Sequence, residues 1–203
     1  MSPPTGIVYL LDDEPEMVNA LGRLLRVHEF EVRSFTSVHR FLEAWHAGEV
    51  ACLVLDVAMP ELDGLEVQDG LKREGMLIPI VFLTGHGDIP MSVQAIKAGA
   101  TDFLTKPVDE VALVRAVNGA LQVAGANVAL AARFATLTPR EREVMEHVVE
   151  GKLNKQIAAD LGTGEQNIKI HRARVMDKMQ VESVADLVRT AERLGIGKKL
   201  PPA

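Results

Sequence analysis

The chain has 203 residues, 47% of them hydrophobic, which suffices to bury a core and suits one or two domains. Its single cysteine, Cys52, excludes an internal disulfide and an all-cysteine metal site, and no apolar run approaches the ~20 residues that span a bilayer, so a soluble, cytoplasmic protein without a membrane partner is expected. The net charge of −6 hides an asymmetry: through Ala135, 10 basic residues face 18 acidic ones, whereas the last 68 residues hold 12 against 10, which predicts different partners for the two halves.

In chain order, five short apolar runs come first: IVYLL at 7–11, EVRSF at 31–35, ACLVLD at 51–56, IVFLT at 80–84 and TDFLT at 101–105. Helical spacing follows them, as in Met17, Leu21, Leu24 and Leu25 after the first run and Met91, Ala95 and Ile96, stopped by Gly99, after the fourth. Strands alternating with helices predict an α/β domain, a five-stranded parallel sheet covered on both faces, over residues 1–122. The alanine-rich, nearly uncharged segment 123–136 reads as a helical linker continuing the helix before it, weakened by Gly119 and Gly125, with a plain buried helix as the alternative. Residues 137–203 show only helical segments and predict an all-α, helix-turn-helix domain. There Thr138, Pro139 and Glu141 mark one helix start, and Asn154 opens a second helix that Gly162 closes. A third helix is predicted from Glu165 to Met179 and a fourth from Ser183 to Leu194.

Ligands of a parallel sheet bind at the carboxyl ends of its strands. The polar residues that break the apolar runs fall at those ends: Asp12 and Asp13 after the first, Asp56 in the third, Thr84 in the fourth and Lys106 after the fifth. Three carboxylates brought together repel one another, and a hard cation that takes oxygen ligands is their natural complement, so magnesium is expected rather than zinc. A lysine and a hydroxyl beside them suit phosphoryl chemistry, with an aspartate as nucleophile. Asp56 stands alone on a central strand and is the expected acceptor; the adjacent Asp12 and Asp13 are better placed as metal ligands. His86, in the loop after the fourth run, reads as an exposed histidine near that site.

The segments LLDDE, LVLDVAMPELDG, IVFLTGHGDIP and AGATDFLTKP, in that order, resemble the CheY-like receiver domains, flavodoxin-like in fold, over residues 6–122. The stretch GHGDIPMSVQAIKAGA is similar to the FixJ-type subgroup. The resemblance implies phosphorylation of Asp56 by a sensor histidine kinase and magnesium held by Asp12, Asp13, Asp56 and the Ala58 carbonyl. It further implies Thr84 and Lys106 on the phosphoryl group, Phe103 as an aromatic switch, and a cis Lys106–Pro107 peptide. A metal-dependent aspartyl-phosphate phosphatase would carry a second acid two residues after the nucleophile, where this chain has Ala58. A phosphorylation-independent DNA-binding or scaffold protein would have no need of the complete acid, hydroxyl and lysine set.

In the third C-terminal helix, EQNIKIHRARVMDKM, setting Ile168 toward the core brings Val175 and Met179 to the same side. Gln166, Lys169, Ile170 and Ala173 then face outward, flanked by Arg172 and Arg174. Such a face can enter a major groove, its cations meeting phosphates and its other residues meeting base edges, although solvated basic helices share the pattern. LTPRERE, GKLNKQIAADLG, IKIHRARVMDKM and SVADLV resemble the LuxR/FixJ-type helix-turn-helix, which implies binding to double-stranded promoter DNA. Asn154, Lys155 and Asn167 join the expected contacts. A homodimer in the phosphorylated state and RNA polymerase are further expected partners of such a transcription regulator, which is not an enzyme in the usual sense. The departure from the family lies in the turn GTGEQN, where Gly164 has no capping hydroxyl and Asn167 stands for threonine.

Overall fold

A computed structural model describes residues 6–60, 63–85 and 89–196 of the chain. Five strands, β1 (Ile7–Leu11), β2 (Glu31–Phe35), β3 (Ala51–Asp56), β4 (Ile80–Thr84) and β5 (Asp102–Thr105), alternate with the helices α1 (Pro15–Val27), α2 (Val38–Ala44), α3 (Gly64–Arg73), α4 (Ile89–Lys97) and α5 (Glu110–Ala135). The strands form one parallel sheet in the order β2-β1-β3-β4-β5. TDFLT enters the ladder one residue late: Thr101 gives its N–H to the Ile80 carbonyl at 2.7 Å, and pairing runs from Asp102.

Successive strand residues point to opposite faces, so the near-continuous apolar strands feed two cores. Val8, Leu10, Val54 and Leu83 pack against Leu25 of α1 and Val117 of α5; Tyr9, Leu11, Leu55 and Phe82 pack against Phe41 of α2 and Val67 of α3. Within α4, Ala95 is buried while Ile96 is 47% exposed, so the two do not share the core-facing side. Gly99 ends that helix with φ +95°, a backbone conformation that glycine adopts without penalty.

The chain divides into two compact units between Val128 and Ala129, inside the segment read as a linker. α5 passes through Gly119 and Gly125 and across this division without interruption. Contrary to the expectation that no stretch approaches bilayer length, α5 contains an 18-residue stretch with a mean hydropathy of 1.2 and so is long and apolar enough to cross a membrane by length and composition only. Its apolarity is used in the two cores: Leu113, Ala116, Val117, Ala120 and Leu121 pack in the first unit, Leu130 and Phe134 in the second.

In the second unit, α6 (Pro139–Val149), α7 (Asn154–Asp160), α8 (Glu165–Met179) and α9 (Val184–Arg193) surround Val144, Met145, Ile157, Ile168, Met179 and Leu187. Thr138 starts α6 with a capping box, its hydroxyl accepting from Glu141 N–H while the Glu141 carboxylate accepts from Thr138 N–H.

Candidate functional site

Parallel register gathers the polar residues at one edge of the sheet. Leu11 pairs with Leu55, so Asp12 and Asp56 are the next residues on neighbouring strands, and Thr84 pairs with Thr105, just before Lys106. Asp12, Asp56 and Thr84 are buried and Asp13 is partly exposed. Lys106 Nζ lies 2.8 Å from Asp12 Oδ2 and 3.2 Å from Asp56 Oδ1, while its backbone N–H donates to the Thr84 carbonyl at 2.6 Å. The Lys106–Pro107 peptide is cis. Lys106 is thus an ion-pair neighbour of both carboxylates, and Asp56 Oδ1 has no geometrically formed hydrogen bond among the described residues.

Burial raises the Asp56 carboxyl above the ordinary carboxylate range; Lys106 pulls the other way, and Asp12 and Asp13 add to the rise. Burial alone would weaken the Lys106 ammonium, yet Asp12 and Asp56 outweigh it and raise its pKa. One oxygen from each of Asp12, Asp13 and Asp56 lies within 4.8 Å of the other two. Among the described residues three carboxylates face one ammonium and Asp56 Oδ1 has no hydrogen-bond partner, so the donor set suits a hard divalent cation. Ala58, two residues beyond β3, is exposed. Phe103 is half-buried on β5 with its ring centroid 6.3 Å from that of Phe82. His86 lies outside the described residues.

In the second unit, Ile168, Val175 and Met179 are the buried residues of α8, and Gln166, Asn167, Lys169, Ile170, Ala173 and Arg174 are exposed. Lys155 is exposed as well, and the half-buried Arg172 donates from Nη1 to Asn154 Oδ1 at 3.0 Å, linking α8 to the start of α7. Lys169 lies 3.6 Å from Glu165, one turn earlier. The N-cap Gly164 supplies no side-chain cap, and Asn167 and Thr163 bond to one another at 3.1 Å.

Residues 8–118 match the family model of the response regulator receiver domain, and residues 135–191 match the bacterial regulatory proteins of the luxR family. The chain belongs to the response-regulator family. The response regulator protein TodT of Pseudomonas putida is 44% identical over 201 residues, covering 96% of this chain and 88% of TodT. Nodulation protein W of Bradyrhizobium diazoefficiens is 45% identical over 198 residues, covering 94% and 87%. Among solved structures, full-length FixJ from B. japonicum is 40% identical, with a TM-score of 0.54 and coverage of 94% of this chain and 97% of that one. The chain is thus a two-component response regulator with a receiver domain and a luxR-type DNA-binding domain, and this architecture entails a sensor kinase and DNA as partners.

Two features of this response regulator were not singled out from sequence. Gly64, the first residue of α3, leaves no room for a side chain: a Cβ there would sit 2.8 Å from the Asp56 carbonyl oxygen and 2.9 Å from Val57 Cα. Only its place beside Asp63, which forms a capping box with Glu66, hinted at this. Lys178 Nζ reaches the Glu141 carboxylate at 2.6 Å and the Thr136 carbonyl at 3.0 Å. Burial pushes the Glu141 pKa up, but hydrogen bonds from Lys178 and Thr138 outweigh it and hold the carboxyl below its ordinary range. Partners 37 and 42 residues apart leave no periodic signal in the sequence.

Proposed function

We propose that Asp56 accepts a phosphoryl group from a sensor histidine kinase and that this modification controls the binding of α8 to promoter DNA. The observation that carries the reading is the meeting of three carboxylates within 4.8 Å with the Lys106 ammonium 3.2 Å from Asp56. An Asp56 carboxylate oxygen forms a bond to phosphorus as the donor's N–P bond breaks, the electron pair returning to the imidazole nitrogen; an acyl phosphate results. Lys106 neutralises a phosphoryl oxygen and the Thr84 hydroxyl donates to another, which is the positioning and charge compensation that phosphoryl transfer requires. Asp12, Asp13 and Asp56, with the Ala58 carbonyl, would hold magnesium, which supplies further neutralisation of the transferred group. Phe103 acts as the switch that reports the change. Lys155, Arg172 and Arg174 serve phosphates, and Asn154 holds Arg172 in place for this role. Gln166, Asn167, Lys169, Ile170 and Ala173 face the bases. The active species is a cytoplasmic homodimer that works with RNA polymerase.

The test is labelling by a small phosphodonor such as acetyl phosphate. The parent should take up hydroxylamine-labile phosphate only with magnesium present, and Asp56→Asn should take up none. Uptake by Asp56→Asn at the parent rate would exclude Asp56 as the acceptor.

A further inference from the structure

At the end of the sheet opposite Asp56, where β4 begins, a cavity of about 150 Å³ opens between α3, the approach to β4, the start of β5 and α5. Leu71, Met76, Leu77, Ile78, Ile80 and Val123 make most of its wall apolar, and Leu77 and Val123, 40% and 41% exposed, leave it open to solvent. The lining also holds one lysine, Lys72, and no acid, although the chain through Ala135 carries 18 acidic residues against 10 basic ones. Lys72 is exposed, and its ammonium stands at the rim: a Cβ on Gly99, which lines the cavity too, would lie 3.8 Å from Lys72 Nζ. An ammonium has three donors. One goes to the Ala98 carbonyl, and Lys72 makes no ion pair among the described residues, so a cation without an anionic partner stands at the mouth of an apolar cavity.

We propose that this cavity binds a small monoanion: an apolar body about one aromatic ring in size that carries a single carboxylate, the ring against Leu71, Met76, Ile78 and Val123 and the carboxylate on Lys72. The volume sets the size, since an apolar cavity of about 150 Å³ accommodates benzene. A largely apolar wall with one placed charged group is the ordinary make-up of a small-molecule site. The unpaired cation sets the charge, and it sets it at one. A multiply charged anion would have a single ammonium to balance it and would give up the rest of its hydration to apolar side chains. None of this depends on what Asp56 does.

The full-length chain is titrated with 4-fluorobenzoate and separately with the neutral 4-fluorobenzamide of nearly the same shape, following the ligand by fluorine NMR and the protein by its backbone amide resonances. The expected result is saturable binding of 4-fluorobenzoate with a dissociation constant in the millimolar range and binding of 4-fluorobenzamide about fivefold weaker, the upper end of what an ion pair open to solvent contributes. That preference should shrink as sodium chloride is raised from about 20 mM to about 500 mM, because salt screens an exposed pair. The shifted resonances should include those of Leu77, Gly99, Thr101 and Val123, which line the cavity. Lys72→Met keeps an unbranched stem, loses the charge and should bring the two ligands to equal affinity. Val123→Trp, at an exposed lining position, should abolish binding of both. The proposal is overturned by the absence of saturable 4-fluorobenzoate binding, by equal affinities of the two ligands in the parent, by shifts confined to residues outside the cavity, or by undiminished binding in Val123→Trp. The ligand pair and the salt series read the ion pair in the parent protein even where Lys72→Met fails to fold.

Discussion

A methyl group on Gly64 would press on the Asp56 carbonyl oxygen at 2.8 Å, on Val57 Cα at 2.9 Å and on the Phe82 ring at 3.1 Å. Two of these neighbours are backbone and cannot rotate away, so either α3 or the end of β3 must shift. Gly64→Ala should therefore cost about 1–3 kcal/mol of stability, the usual range for overpacking, measured as the urea midpoint of the receiver transition. It should also slow phosphoryl uptake from acetyl phosphate, because the backbone that carries Asp56 moves; an unchanged midpoint and an unchanged uptake rate would show that the approach relaxes freely. At this scale the acids, Thr84 and Lys106 were legible because each interrupts an apolar run at a strand end. The Lys178–Glu141 pair was not, because its partners lie far apart in sequence.

α8 carries its inward and outward faces at ordinary helical spacing, which is why Ile168, Val175 and Met179 could be read as core while Ala173 and Lys169 could be read as surface. Sequence gave no sign that Arg172 would be held by Asn154 of α7, since that bond depends on how the two helices pack. The same arrangement makes Ala173 the sharpest test of groove entry: it is exposed, and glutamate is a good helix former, so Ala173→Glu should leave the fold intact. A carboxylate facing phosphates and base edges should remove roughly 1–3 kcal/mol or more of binding to a selected DNA site. Gel shift with circular dichroism as the folding control reads this, and parent-like affinity would mean that another surface meets the DNA. The start of α8 lacks a side-chain cap, as the turn GTGEQN led one to expect: with glycine as the N-cap, Asn167 Nδ2 donates to Thr163 Oγ1 and neither side chain caps the helix.

For the whole molecule, the alternation of strands and helices followed by helices alone made the two units readable, and the alanine-rich segment was legible as a continuation of the helix before it, although Gly119 and Gly125 weaken the local helical preference. Tertiary burial on both sides of Val128 overrides that weakening. Leu130 is buried in the second core, Phe134 packs against it, and the Arg142 guanidinium lies 5.0 Å from the Phe134 ring centre. A fragment of residues 136–203 lacks both apolar side chains and should be about 3–5 kcal/mol less stable than residues 129–203, as judged by urea denaturation. Equal midpoints would show that the last turns of α5 contribute nothing to the second core.

The shared helix also has a consequence for the order of synthesis. Chains emerge from the ribosome amino end first at about 5–20 residues per second, so the 68 residues beyond Ala135 take roughly 3–14 s to follow. The sheet and the first half of α5 can assemble in that interval, while Leu130 and Phe134 have no core to enter until α6 to α9 exist. Each newborn molecule therefore passes through a stage in which a folded amino-terminal half carries an apolar helix end awaiting its destination, and that stage is where nascent-chain chaperones would find something to hold.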